Sequence, residues 1–590
     1  MNQGSSNKFD TLERSSDIED RISELPNEII CYIFTFLNLK EIIKTKVLSH
    51  EWNERSIDMS NLVFDPTLIN IDLVDDASLE SIPLPQKYQF IEQVDQLLEI
   101  FNINQSASFT IWFPMGKQFT SHIDKWVNRA IIKECEKLDL ELKFARIDDE
   151  PYNFPFHILL SSKKSHLKWL SLCECQVKPT REVVHRLNLL ESLTLVYVSM
   201  EASDLEIILS SCLNLEFLHL IDCEVLTLLR IFNQDIMLKR LFVTPLIFVA
   251  NIELSIPSLE LFTFSGEIEN FTISRMSQLK TVELSIEGTY PRGMGQLLDE
   301  LSRNAPLLQT LFLSSHFDEF LSHAHNNNQT PKFNNLTHLE LIAKGEYGWN
   351  VFIGILYKSP KLEVVVIEGY TPPIDDEPSW TNQQLVPTCI SSSLKIVRFD
   401  EFKGQDFEVE MIEYIRFKRL FVTLVVFVAN IELSIPSLEL FTFDGVIENF
   451  TFSRMNQLKT VELYIEGTYP RVLFFMQFLS HAHNNNETPK FNNLTHLKLT
   501  PKGDYGWNVF IGILYKSPKL EVLVIEARSV STRPTQIQHG QSCLSKCLAE
   551  ELDRLAKVLS QENLDFKQTR DVVHDLTPTS PQQAFQSSSP

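Results

Sequence analysis

A chain of 590 residues, 44% hydrophobic and 22% charged, has ample material for a core and enough length for several domains or one extended array. Its net charge of -24 and pI near 5.1 argue against a phosphate-binding footprint, and no basic cluster offsets them, so nucleic acid is not an expected partner. Residues 1–17 are polar and expected to be disordered, and no apolar run approaches the roughly twenty residues of a membrane span, which predicts a soluble protein of the cytoplasm or nucleus, with no membrane partner.

The first dense pattern is residues 20–56. Leu25 and Pro26 set a turn, and Ile29, Ile30, Ile33, Phe34 and Leu37 then recur at helical spacing along one face. Asn38, with Glu41 three residues on, caps a second short helix carrying Ile42 and Ile43, and a third piece holds Val47, Leu48 and Trp52. Three helices this short present more apolar surface than they can bury among themselves, so a docked partner is expected. The order D-R-I-S-x-L-P-x-E-I-I, then I-F-x-F-L, then V-L-S, then Trp resembles the F-box of plant F-box proteins. That resemblance implies an F-box over 18–60 binding a Skp-type adaptor and, through it, a cullin. The contact residues would be Leu25, Pro26, Ile29, Ile30, Ile33, Phe34, Leu37, Ile42, Ile43, Val47, Leu48 and Trp52. His50 and Glu51 stand where the plant pattern usually has a basic pair.

Residues 61–135 read as a connecting region with atypical first repeats. An alternating run around Leu68 to Val74 suggests a short strand, Tyr88 to Phe101 a helix, Ser108 to Phe113 a strand, and His122 to Ile132 a helix containing Trp126. From 136 to 370 the pattern is a repeat, opening with the alternation Leu138, Leu140, Leu142. A six-residue phrase, apolar at positions one, four and six, runs LKWLSL at 167, LESLTL at 190, LEFLHL at 215, LKRLFV at 238, LELFTF at 259, LKTVEL at 279, LQTLFL at 308, LTHLEL at 336 and LEVVVI at 362. Starts 20 to 29 residues apart match the period of leucine-rich repeats, one short strand per turn. No such unit buries its apolar face alone, so the repeats must stack into a continuous core. Ala202 to Cys212 shows one helical return, with Leu205, Ile208 and Leu209 facing inward. The expected fold class is α/β: an N-terminal three-helix F-box, then a leucine-rich-repeat solenoid whose curved parallel sheet has irregular or helical returns.

Residues 371–385, rich in proline and acid, form a linker, and 386–415 resembles the opening of the FBD domain found after the repeats in many plant F-box proteins. Beyond it the chain repeats itself. Residues 419–471 match 240–292 at an offset of 179 with eight differences, and 478–527 match 320–369 at an offset of 158. The 21 residues lost between the offsets carry the counterpart of LQTLFL at 308. We read 416–527 as a segmental duplication, or two joined reading frames, adding four repeats. The tail, 528–590, holds one amphipathic helix at 543–564, with Leu544, Leu548, Leu552, Leu555 and Leu559 on the face that caps the last repeat or forms a short coiled coil; the remainder is expected to be disordered.

No phosphate loop, dinucleotide fingerprint, nucleophile elbow or zinc-protease helix occurs. His323 with His325, echoed by His481 with His483, lacks converging further ligands. Nine scattered cysteines read as reduced core thiols, Cys173 and Cys175 pointing the same way from one strand. No cofactor, metal or catalytic residue is expected. The family resemblance implies a non-catalytic substrate receptor of a Skp, cullin and F-box ubiquitin ligase, its repeats holding an unknown target protein. The alternatives are a repeat scaffold unconnected to ubiquitin, or a non-functional duplicate product.

Overall fold

The computed structural model describes Leu25, Pro26, Ile29, Tyr32, Ile33 and Leu37, then residues 39–45, 58–71, 82–100, 102–142, 150–223 except 163 and 165, 228–244, 249–289, 294–316, 332–344, 355–368 except 357, 393–402, 412, 417–423, 428–466 except 446 and 454–456, 492–502, 517 and 519–525. They fall into two compact units, 1–249 and 250–590.

The first unit contains α1 (Leu39–Thr45), β1 (Asp58–Phe64), α2 (Leu84–Ile100), β2 (Asn102–Trp112), α3 (Thr120–Ile132), β3 (Lys137–Glu141), β4 (Tyr152–Phe154), β5 (Trp169–Cys173), β6 (Cys175–Val177), β7 (Ser192–Val196), α4 (Ala202–Leu209), β8 (Phe217–Ile221), β9 (Leu228–Phe232) and β10 (Arg240–Thr244). Strands β1, β2, β3, β5, β7, β8 and β10 pair in that order, all parallel. The phrase explains the register. Its apolar positions, such as Leu170, Leu172, Leu193, Leu195, Leu218 and Leu220, are buried on one face while the residues between them face outward. The second position lies at the strand entrance, where Lys168 pairs with Glu136 at 3.0 Å and Lys239 with Glu216 at 2.6 Å. Glu174, Tyr197 and Asp222 follow three successive strands with φ of 55°, 51° and 48°. This left-handed bend turns the chain off the sheet while its amide still bonds across, Glu174 to the Val196 carbonyl at 2.8 Å and Tyr197 to that of Ile221 at 2.9 Å.

The same bend corrects the reading of Cys173 and Cys175 as residues of one strand. Cys173 ends β5, Glu174 turns, and Cys175 opens β6, which pairs with β4 on the return side; both thiols are buried. Of the run read as a strand at 68–74, residues 68–71 are not strand, and 72–74 lie outside the described residues. Pro66–Ile69 is a 3-10 turn started by Asp65, whose Oδ1 accepts the Thr67 amide at 2.9 Å, and the strand of this region is β1, just before it. The helices of this unit follow their patterns. Phe90 of α2 stacks on Phe113 with ring centroids 3.8 Å apart, and Trp126 of α3 is wholly buried, its indole N–H donating to Asp95 Oδ1 at 2.8 Å. In α4, Leu205, Ile208 and Leu209 are buried, and Glu201 and Asp204 form a reciprocal cap.

The second unit holds β11 (Val249–Ser255, all but its first residue), β12 (Leu261–Ile273), β13 (Thr281–Thr289), α5 (Met294–Asn304), β14 (Thr310–His316), β15 (His338–Lys344), β16 (Val364–Glu368), β17 (Ile396–Asp400), β18 (Arg419–Thr423), β19 (Val428–Ser434), β20 (Leu440–Gly445), β21 (Ile447–Ser453), β22 (Thr460–Glu466), β23 (His496–Lys502) and β24 (Val522–Ile525). Its main sheet runs β12, β13, β14, β15, β16, β17, β18, β20, β22, β23, β24, again all parallel.

Two repeats here return through strands rather than helices or irregular chain, a departure from expectation. β19 pairs with β21 in a sheet of its own, and in the first copy Ser274, just past the end of β12, donates its amide to the Leu254 carbonyl of β11 at 2.8 Å. The corner between the two strand segments is Gly266 in one copy and Gly445 in the other, with φ of 156° and 150°, a region essentially reserved for glycine. The second copy contributes five strands to the main sheet rather than four added repeats. The extra one is β18, whose phrase begins with buried Phe417 in place of leucine. Where the copies differ by 21 residues, β22 pairs directly with β23, whereas β13 reaches β15 through β14; Thr460 meets His496 as Thr281 meets Thr310.

Candidate functional site

Two surfaces carry exposed side chains suited to holding another protein. The first is the N-terminal helical stretch. The Ile29 amide bonds back to the Pro26 carbonyl at 3.0 Å, opening the turn, and Ile29, Tyr32 and Ile33 follow with 46%, 63% and 37% of their surface exposed. Leu25 and Leu37 are half-buried and Pro26 is exposed. Ile42 and Ile43 lie within α1, which packs near β1 and the 66–69 turn; its Leu39 is buried, and Lys40 Nζ is bonded to Asn70. Ile30, Phe34, Asn38, Val47, Leu48, His50, Glu51 and Trp52 are outside the described residues. Tyr32 was missed by the sequence reading, although its place three residues after Ile29 put it beside the same helical face.

The second surface is the outward face of each sheet. In the first unit, one row of aligned positions reads Ser108, Lys137, Trp169, Ser192, Phe217, Arg240, and the next Thr110, Asp139, Ser171, Thr194, His219, Phe242. Aromatic groups gather at the end of these rows. The Phe217 and Phe242 rings are 5.4 Å apart, His219 is 5.5 Å from Phe242, and the Arg240 guanidinium lies 5.1 Å from the Phe217 ring centre. Trp169 is 39% exposed. Partial burial holds the His219 imidazole below its ordinary pKa, keeping it neutral near pH 7.

In the second unit the equivalent face is acidic in one copy and mixed in the other. Glu283 and Glu340 flank Phe312 in one row, with Glu368 and Asp400 in the next; Arg398 pairs with Asp400 at 2.8 Å. Burial, followed by the neighbouring charge of Glu368, raises the Glu340 pKa above the usual carboxylate value against the opposing pull of Arg398. In the second copy Lys498 stands in place of Glu340, its ammonium 5.7 Å from the ring of Tyr464, which itself replaces Ser285.

The buried thiols are ill suited to chemistry. Desolvation raises Cys135, Cys212 and Cys223 to about 12 and pushes Cys175 up further. The four histidines of the two HAHNNN loops are outside the described residues. Among the described residues no helix is long and apolar enough to cross a membrane.

Comparison with known proteins agrees with this layout. The family model described as At1g61320/AtMIF1, LRR domain matches residues 107–416, just over half of the chain, and the F-box domain model matches 22–63. Among similar proteins of Arabidopsis thaliana, F-box/LRR-repeat protein At4g14096 is 24% identical over 420 residues, covering 68% of this chain and 86% of its own. Putative F-box protein At1g58310 is 26% identical over 447 residues, covering 67% and 85%, and F-box/LRR-repeat protein At5g38396 is 25% identical over 433, covering 67% and 88%. Neither matched model describes an enzyme. With an F-box followed by a repeat domain matched over half its length, the chain belongs to the plant F-box/LRR-repeat family.

Proposed function

We propose that the protein is the substrate-recognition subunit of a Skp, cullin and F-box ubiquitin ligase. The observation that carries this reading is the exposure of Ile29, Tyr32 and Ile33 within the segment matching the F-box. Apolar side chains set at helical spacing and left in water gain by docking, and a Skp-type adaptor is the partner that F-boxes take. The contact set is Leu25, Pro26, Ile29, Ile30, Ile33, Phe34, Leu37, Ile42, Ile43, Val47, Leu48 and Trp52, within an F-box of 18–60. The outward faces of the repeats hold the target protein. The contribution to ubiquitin transfer is proximity alone, raising the effective concentration of target lysines near the ubiquitin-carrying enzyme.

Within the same reading, 136–370 are the first repeats, 386–415 is an FBD-like fragment interrupted by the duplicated repeats of 416–527, and 543–564, which lie outside the described residues, supply a helix that caps the last of them or forms a short coiled coil. A pull-down of the full chain with a Skp-type adaptor tests the assignment. Binding is expected, and it is expected to vanish when Leu25, Pro26 and Ile29 are changed together to polar residues; an unmodified chain that leaves the adaptor in the supernatant overturns it.

A further inference from the structure

We propose that the first unit carries a recognition groove along β7. Its occupant is a polyproline II-like segment of a partner protein that lies across the strands, with an apolar side chain in the groove and, three residues on, a carboxylate. The proposal rests on the repeats being the target-binding part of the chain and supplies the chemistry of what they bind.

The groove follows from the register. At its start β7 presents only Ser192 and Thr194 outward, small side chains that leave the backbone low. On one side stands Trp169 of β5, on the other Phe217 and His219 of β8. These flanking strands are two spacings apart, about 9.5 Å, so the trough is one side chain wide, with rings for walls and hydroxyls for a floor. Aromatic residues and arginine around such a hollow are the composition of interface anchors.

Charge selects the occupant's second residue. At the strand entrances Lys168 is paired with Glu136 and Lys239 with Glu216, but among the described residues no carboxylate pairs with Arg240. Its guanidinium rests against Phe217, an exposed cation on a protein of net charge -24, and its complement is a carboxylate. Arg240 lies two strands beyond β7, a further span of about 9.5 Å, which a polyproline II chain crossing the sheet covers in three residues at about 3.1 Å each, one full turn, so that both side chains face the sheet. The duplicated segment lacks the groove. Arg419 occupies the place of Arg240 there, but its neighbours in register are Ile396 and Leu440, and nothing corresponds to Phe217 or His219.

A library of random twelve-residue peptides displayed on phage, selected on the immobilised full chain, tests the groove. Selected peptides are expected to favour Asp or Glu three residues after an apolar residue, about tenfold over Gln at that position. Arg240→Glu should invert that preference to Lys or Arg, Arg240→Lys should retain it, and Phe217→Ser should erase the apolar preference alone. All three variants should still bind the Skp-type adaptor, which separates failure of the groove from failure of the F-box assignment. Pools without acidic enrichment, an Arg240→Glu pool identical to the parent pool, or no enrichment over bare support would each overturn the proposal.

Discussion

Trp126 gives the sharpest test of how the N-terminal end of the repeats is held. Its indole is wholly buried beside Phe90, with ring centroids 6.4 Å apart in an edge-to-face arrangement, and donates to Asp95 Oδ1 at 2.8 Å. Trp126→Phe keeps a ring against Phe90 but removes the donor. Losing a hydrogen bond to a charged acceptor costs about 1.5–3 kcal/mol. The smaller ring adds about 1 kcal/mol, from roughly 40 Å² of lost burial at about 25 cal/mol per Å². The sum, about 2.5–4 kcal/mol, corresponds to a drop of about 5–15 °C in the melting midpoint of a cooperative unit of this size. Lys125→Ala is the control. Its ammonium also reaches Asp95 Oδ1, at 2.9 Å, but the side chain is largely exposed, and such pairs contribute about 0.2–1 kcal/mol. Thermal unfolding followed by circular dichroism on the full chain separates the two. A Trp126→Phe midpoint equal to that of the parent, or a Lys125→Ala change as large as that of Trp126→Phe, would refute the reasoning.

Other outcomes follow from the electrostatics and backbone of the repeats. Because the folded pKa of Glu340 is raised, its ionisation opposes folding. That penalty is absent below the unfolded value of about 4.3, grows as pH rises, and is complete above the folded value. Glu340→Gln should therefore raise the neutral-pH melting midpoint and leave the acidic one unchanged, and equal shifts at both pH values would contradict this. Cys135, Cys173, Cys175, Cys212 and Cys223 are buried free thiols, so peptide mapping after iodoacetamide treatment of the native chain at pH 8 should find them unmodified until denaturant is added. Gly266→Ala places a methyl group in a buried corner at a φ of 156° and should cost about 1–3 kcal/mol, read as a loss of denaturant midpoint; an unchanged midpoint would show that the corner is not strained by a side chain.

The main-sheet strands were largely legible because each carries a burial alternation that the six-residue phrase states outright. A one-residue slip would turn Leu193 and Leu195, or Leu218 and Leu220, from the buried face to the exposed one. The return strands were not legible, although Ile252 and Leu254 alternate, because they lack the leucine phrase and a thirteen-residue β12 bending at Gly266 has no signature of its own. The split between Cys173 and Cys175 escaped for a related reason. Nothing local announces that Glu174 will adopt a positive φ; the turn is imposed by the ladder bond from its amide to Val196 on the next strand. In the N-terminal segment the spacing marks an apolar face, of which Ile29 and Ile33 are exposed, while Ile30, Phe34, Val47, Leu48 and Trp52 lie outside the described residues. The ring cluster of Phe217, His219 and Phe242 was hidden because Phe242 lies more than twenty residues beyond the other two and meets them only through strand register.

Calorimetric titration of the purified full chain with a Skp-type adaptor tests the functional claim most directly. One-to-one binding is predicted. Ile29 and Ile33 expose 46% and 37% of their surface, together 83% of one side chain, and full burial of such a side chain is worth about 1.5–3 kcal/mol. Changing both to serine should weaken binding about ten- to seventyfold while leaving the melting midpoint in place. No heat of binding from the unmodified chain, or the same affinity in the double variant, would contradict the assignment of this surface to the adaptor.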